Sequence, residues 1–242
     1  MRNNRTFRIM FRAIKNNIPN SITCLNLLFG TLAIIAAFKP YDESLMGLQG
    51  YQVAAIMIGL AALADFADGF VARLLHAVSP LGKELDSLCD CVSFGLAPAL
   101  IIYNQMQASC PGHWLCYVPL VIPLFGALRL ARFNIDTNQS TTFTGLPIPA
   151  NAIFFVGLSE WYACHATTSP WIIAVAAVAF SLLMVCGLRM FSLKMHNLSP
   201  KENYRQYLLA VAAVAFVVTQ GVTGLAWTIL FYVLLSAISR VK

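Results

Sequence analysis

The stretch "DFADGFVARLLHAVSPLGKELDSLCD", running from Asp65 to Asp90, decides how this chain is read. It gathers four aspartates and a glutamate, half of the ten acidic residues, into one short segment of a protein that is 59% hydrophobic and 11% charged. Ordinary soluble domains carry about 25% charged residues. Acidic groups are scarce here, so their concentration needs a chemical reason.

The spacing supplies one. Asp65 and Asp68 are three apart and Asp86 and Asp90 four apart, so on helices each pair shares a face. Between them "HAVSPLG" (76–82) reads as a turn, with Pro80 and Gly82 as breakers. In an antiparallel hairpin, facing positions keep a nearly constant sum, which sets Asp65 opposite Asp90 and Asp68 opposite Asp86. Four carboxylates meeting at one depth repel one another, and charge inside a membrane span is costly and marks function. A metal is the sensible neutraliser. Oxygen-only ligands select hard divalent ions, Mg²⁺ or Mn²⁺. Two ions balance four negative charges, and a two-metal site suits substitution at phosphorus. Gly69 and Ala72 keep the helix surface low enough for a phosphate or nucleotide to approach, and Arg73, one turn on, can clamp an anion. The competing reading pairs the acids with Arg73, Lys83 and Arg129 at the membrane edge. Three bases match four aspartates and Glu84 poorly.

Outward from the motif the chain is apolar almost throughout, with mean hydropathy +0.71. Candidate spans fall near 20–38, 50–70, 86–105, 114–131, 147–164, 170–188, 206–222 and 223–239, each close to the ~20 residues a crossing helix needs. The expected architecture is all-α: a polytopic membrane bundle of about eight helices forming a single domain over 1–242. The connecting loops are too short for a separate soluble domain, and no cleavable signal peptide is expected. With eight spans, every basic residue except Lys39 falls on one side, which puts both termini and the aspartates in the cytoplasm. The net charge of +6 then reflects topology and attraction to anionic lipid. No basic soluble face for nucleic acid is present. Residues 2–16, "RNNRTFRIMFRAIKN", repeat Phe7, Met10, Phe11 and Ile14 at helical spacing, with Arg5, Arg8, Arg12 and Lys15 mostly on the other side. This predicts an interfacial amphipathic helix, broken at Pro19. Just inside the first span, Thr23 and Asn26 can face a site, although a Thr hydroxyl can equally bond back to its own helix.

The pattern D-x-x-D-G-x-x-A-R, eight residues, G-x-x-x-D-x-x-x-D is filled without departure by Asp65, Asp68, Gly69, Ala72, Arg73, Gly82, Asp86 and Asp90. It resembles the signature of the CDP-alcohol phosphotransferases. The resemblance implies a six-helix membrane core, here with extra C-terminal helices, and two divalent ions at the cytoplasmic end. It also implies displacement of CMP from a CDP-alcohol by a second alcohol. On that pattern Asp65, Asp68, Asp86 and Asp90 bind metal and Asp90 is also the general base. Gly69, Ala72 and Arg73 lie along the CDP group, with Gly82, Thr23 and Asn26 beside it.

"IPNSITCLNLLFG" (18–30), "SPLGKELDSL" (79–88), "LRLARFN" (128–134) and "FTGLPIPANA" (143–152) resemble segments of the phosphatidylserine synthase branch of that family. That branch implies CDP-diacylglycerol as donor, L-serine as acceptor, surrounding membrane lipid and a homodimer. Serine carries a carboxylate, so its pocket needs a cation. Arg129 and Arg132 are the candidates, with Lys83 and Glu84 at the border, and "GLPIP" is a stiff entry to the fifth span. Asn151 stands where a small apolar residue is expected and can touch the pocket. His76 reads as a solvated turn residue, and Cys89 and Cys91 as packing groups. Two rivals remain open: a sister enzyme taking glycerol 3-phosphate or inositol phosphate, and a cation transporter with an aspartate path.

Overall fold

The computed structural model describes residues 2–135, 143–165, 168–191 and 203–238. Helix α1 runs unbroken over Arg2–Ala37, through Pro19. The break expected there does not occur, and Thr23 Oγ1 donates to the Pro19 carbonyl across 3.1 Å. The side chains of residues 2–16 lie outside the described set, as do Lys194, Lys201, Arg240 and Lys242. A short hairpin, β1 (Glu43–Leu45) with β2 (Leu48–Gln49), turns the chain into α2 (Gly50–Leu74). Helix α3 (Pro80–Asp90) starts as its sequence dictates: Ser79 Oγ accepts from the Gly82 N–H at 3.0 Å and Pro80 fills the first turn, where its missing donor costs nothing.

After Asp90 the helix widens into a π turn, Cys91–Leu96, before α4 (Ala97–Ser109). Such a turn adds a residue and re-aims the side chains on either side of it; it is rare and concentrates at functional sites. A 3₁₀ helix (Trp114–Leu120) leads into α5 (Val121–Ile135), followed by α6 (Ile148–Cys164) and α7 (Pro170–Val185). Two-residue strands β3 (Phe143–Thr144) and β4 (Arg189–Met190) pair antiparallel and tie the segment before α6 to the segment after α7. The chain ends in α8 (Tyr204–Gln220) and α9 (Gly224–Ile238). These two form a hairpin. The rings of Phe216 and Phe231 are 6.4 Å apart, whereas one straight helix would separate those positions by about 22 Å.

Among the described residues, five helical stretches are long and apolar enough to cross a membrane: Asn17–Ala37, Gly50–Leu74, Pro80–Ser109, Trp114–Ile135 and Tyr204–Ile238. The last is the folded hairpin. Helices α6 and α7 are shorter, at 17 and 16 residues. Large apolar side chains cover the outside, among them Leu63, Phe66, Val175 and Val218, while Phe94, Ile101, Met106 and Phe155 fill the interior. An apolar exterior on long apolar helices is that of a multi-pass membrane protein.

Candidate active site

The motif helices do not pack as a simple hairpin. Helix α1 lies against both α2 and α3, which make little backbone contact with each other. The space left between α2 and α3 is where the acids meet. Asp65, Asp68 and Asp86 each offer a carboxylate oxygen within 4.8 Å of the other two. Asp68 Oδ2 and Asp86 Oδ1 are buried and have no hydrogen-bond partner. Unpaired buried carboxylate oxygens are expensive. Among the described residues no ion pair joins an aspartate of the motif to a cation; Lys39 and Asp42 pair at 3.6 Å, outside the motif. The aspartates are therefore not neutralised by Arg73, Lys83 or Arg129, and the converging oxygens suit a hard divalent cation.

Asp90 stands off this trio but within electrostatic range of all three. Asn26 Nδ2 donates to Asp90 Oδ1 at 3.1 Å, and the Asn26 carbonyl accepts from Ser93 Oγ at 3.0 Å. All three residues are buried. Gly30 makes the clasp possible, because a Cβ there would lie 2.2 Å from Ser93 Oγ. Asn26 thus orients Asp90, and does not line the nucleotide-side cavity expected from the sequence. Ser93 and Gly30 give no local signal in the sequence, since their role depends on the π turn.

Two cavities flank the acids. One, of about 220 Å³, is lined by Thr23, Asp68, Gly69, Ala72, Arg73, Gly82, Lys83 and Asp86, with Pro19, Asn20 and Ala77–Ser79. Five of the six positions expected along the nucleotide are here. The other, about 190 Å³, is walled by Asp86, Asp90, Arg129, Phe133, Asn134 and the Pro147–Pro149 turn, among others. Lys83 and Asp86 border both. Arg129 presents a buried Nε without a partner. Arg132 does not line this cavity: its Nη1 donates to the Val185 carbonyl at 3.3 Å, beside a third cavity of about 450 Å³ that Arg129 and Phe133 border as well. Lys83 and Glu84 do not pair with each other. Lys83 Nζ donates to the Asn134 carbonyl (3.2 Å), while Asn134 Nδ2 donates to Glu84 Oε2 (3.3 Å) and Ser87 Oγ (3.0 Å). Asn134, overlooked in the sequence, pins the end of α5 to α3. Asn151 is fully buried without a side-chain partner and lines neither cavity flanking the acids. His76 is exposed with φ +48°, a turn residue as expected.

The family model for CDP-alcohol phosphatidyltransferase matches residues 16–183. A CDP-diacylglycerol–serine O-phosphatidyltransferase of Bacillus subtilis is 34% identical over 190 residues, covering 78% of this chain and 98% of the relative. Enzymes of the same name from Mycobacterium tuberculosis (35% over 212 residues; 81% of this chain, 68% of the relative) and Methanocaldococcus jannaschii (36% over 173 residues; 71% and 72%) are also similar. With the motif complete, its carboxylates converging, and the match covering most of its length, the chain belongs to the CDP-alcohol phosphatidyltransferase family.

Proposed function

We propose that this protein is a phosphatidylserine synthase, moving the phosphatidyl group of CDP-diacylglycerol to the hydroxyl of L-serine with release of CMP. The observation that carries it is the pair of cavities sharing Asp86, one lined by the complete motif and the other by Asp90 and an unpartnered Arg129. Chain 1–242 acts as one membrane domain with about eight crossings, α8 and α9 counting separately, and its termini and site face the cytoplasm. Residues 2–16 lie along the membrane surface, and two copies associate.

The donor's CDP group occupies the 220 Å³ cavity. Gly69 and Ala72 leave room for it, Arg73 meets its phosphate charge, and Thr23 and Gly82 complete the wall. Asp65, Asp68, Asp86 and Asp90 hold two divalent ions, Mg²⁺ or Mn²⁺. Bound there, such ions would supply the positive charge that the diphosphate and the departing CMP need. Serine enters the 190 Å³ cavity with its carboxylate on Arg129. Arg132 acts from the edge, and Lys83 and Glu84 set the border through Asn134. Asp90, held by Asn26 through one oxygen, uses the other to take the proton from the serine hydroxyl. The serine oxygen bonds to the lipid-side phosphorus as the bond to CMP breaks.

The test is incorporation of labelled serine into lipid by the purified protein, with a panel of competing alcohols. Serine transfer that depends on CDP-diacylglycerol and yields equimolar CMP is expected. Faster use of glycerol 3-phosphate or inositol phosphate would overturn the acceptor. Cation flux without CMP release would overturn the enzyme.

A further inference from the structure

We propose that the C-terminal hairpin α8–α9 is a working part of the acceptor side of the site, with Tyr232 as the residue that positions the wall formed by the start of α6. The proposal rests on reading the Asp90–Arg129 cavity as the acceptor pocket. The hairpin lies beyond residue 183, where the family match ends, so the motif gives it no role. It is nonetheless built into the molecule. Helix α9 meets α6 so closely at Gly157 that a Cβ there would lie 2.4 Å from the Ala226 nitrogen.

From that contact a chain of bonds leads to the cavity. Tyr232 is buried, and its hydroxyl donates to the Phe191 carbonyl at 2.9 Å, while the two rings meet edge to face at 4.9 Å. Phe191 directly follows β4, which pairs with β3. Beyond β3, Gly145 N–H donates to the Leu188 carbonyl (2.8 Å) and Leu146 N–H to the Leu183 carbonyl (2.9 Å). The next residues, Pro147, Ile148 and Pro149, form the cavity wall. Arg129, on the same cavity, lies within electrostatic range of both Asp90 and Tyr232. Among the described residues no such run of hydrogen bonds leads from Tyr232 to Gly69, Ala72 or Arg73 on the nucleotide side. A loosened wall should therefore weaken acceptor binding and spare the donor.

Tyr232→Phe in the full-length protein in nanodiscs tests this, because it removes only the hydroxyl. The expected result is a rise in the serine KM of roughly tenfold, the scale of one lost buried hydrogen bond. The KM for CDP-diacylglycerol should stay within about twofold. Deuterium uptake should rise over residues 143–150 and remain as in the wild type over 65–74. Val218→Ser, at a position 79% exposed on α8, should move none of these. Equal rises in both KM values, or faster exchange in 65–74 alongside 143–150, would make Tyr232 a general stabiliser and overturn the proposal, as would an unchanged serine KM. If the wild type prefers another alcohol, serine is the wrong acceptor, and Tyr232 is judged by the same pair of KM values measured with that alcohol.

Discussion

The two cavities meet at Lys83 and Asp86 but are built in opposite ways. The nucleotide-side cavity is made from three consecutive helices, α1, α2 and the start of α3, with the turn between the last two. Small residues shape it, and its acids are left without cationic partners. The acceptor-side cavity draws on α3, α5 and the Pro147–Pro149 turn, brought together by side-chain and strand contacts over long separations. Local spacing specifies the chemistry of the first. Long-range packing assembles the second.

That contrast is sharpest at the shared residue. Asp86→Asn should damage both sides, lowering turnover by about 10³-fold, the upper scale for loss of one electrostatic stabiliser, and weakening CDP-diacylglycerol binding too. Removal of divalent ions with EDTA should likewise abolish CMP release, and Mg²⁺ or Mn²⁺ should restore it. Activity surviving in metal-free buffer would break the account of the carboxylate trio. Next in size is Asp90→Asn, expected to cost on the order of 10²-fold or more in turnover while the CDP-lipid still binds. Loss of binding without a separate loss of chemistry would make Asp90 a ligand only.

On the acceptor side alone, Arg129→Ala should raise the serine KM by roughly ten- to a hundredfold, the range of a charged hydrogen bond, with little change for the donor. Arg132→Ala should do much less, because that side chain bonds to the Val185 carbonyl and, unlike Arg129, does not line the cavity beside Asp90. Equal effects of the two arginines would blur the boundary drawn here. Smallest of all, Thr23→Val should raise the donor KM by about two- to threefold, since the hydroxyl is already engaged by Pro19. A large effect would mean that the hydroxyl turns to the nucleotide.

The uneven construction explains what the sequence could reveal. Asp65, Asp68, Gly69, Ala72 and Arg73 sit on one regular helix and Gly82 and Asp86 on the next, so helical periodicity sets each group on one face, and the packing of α1 against both helices brings the faces together. The apolar runs marked the helices for the same reason. Asn26 was singled out, but its partner was not foreseeable: the bond to Asp90 depends on a π turn and on the close approach of Gly30 to Ser93. The break expected at Pro19 fails because proline removes one donor without forcing the chain out of a helix supported by neighbouring turns. Asn134 escaped notice because its bonds to α3 span about fifty positions.

The central claim is that donor and acceptor lie in adjoining cavities and react directly. Its most direct measurement is the stereochemistry at the transferred phosphorus, followed with a chiral thiophosphate analogue of CDP-diacylglycerol and serine. A single in-line displacement reverses the configuration, so inversion is the expected result. Retention would require two displacements through a phosphatidyl-enzyme and would contradict the account, with Asp90 then acting as nucleophile rather than base.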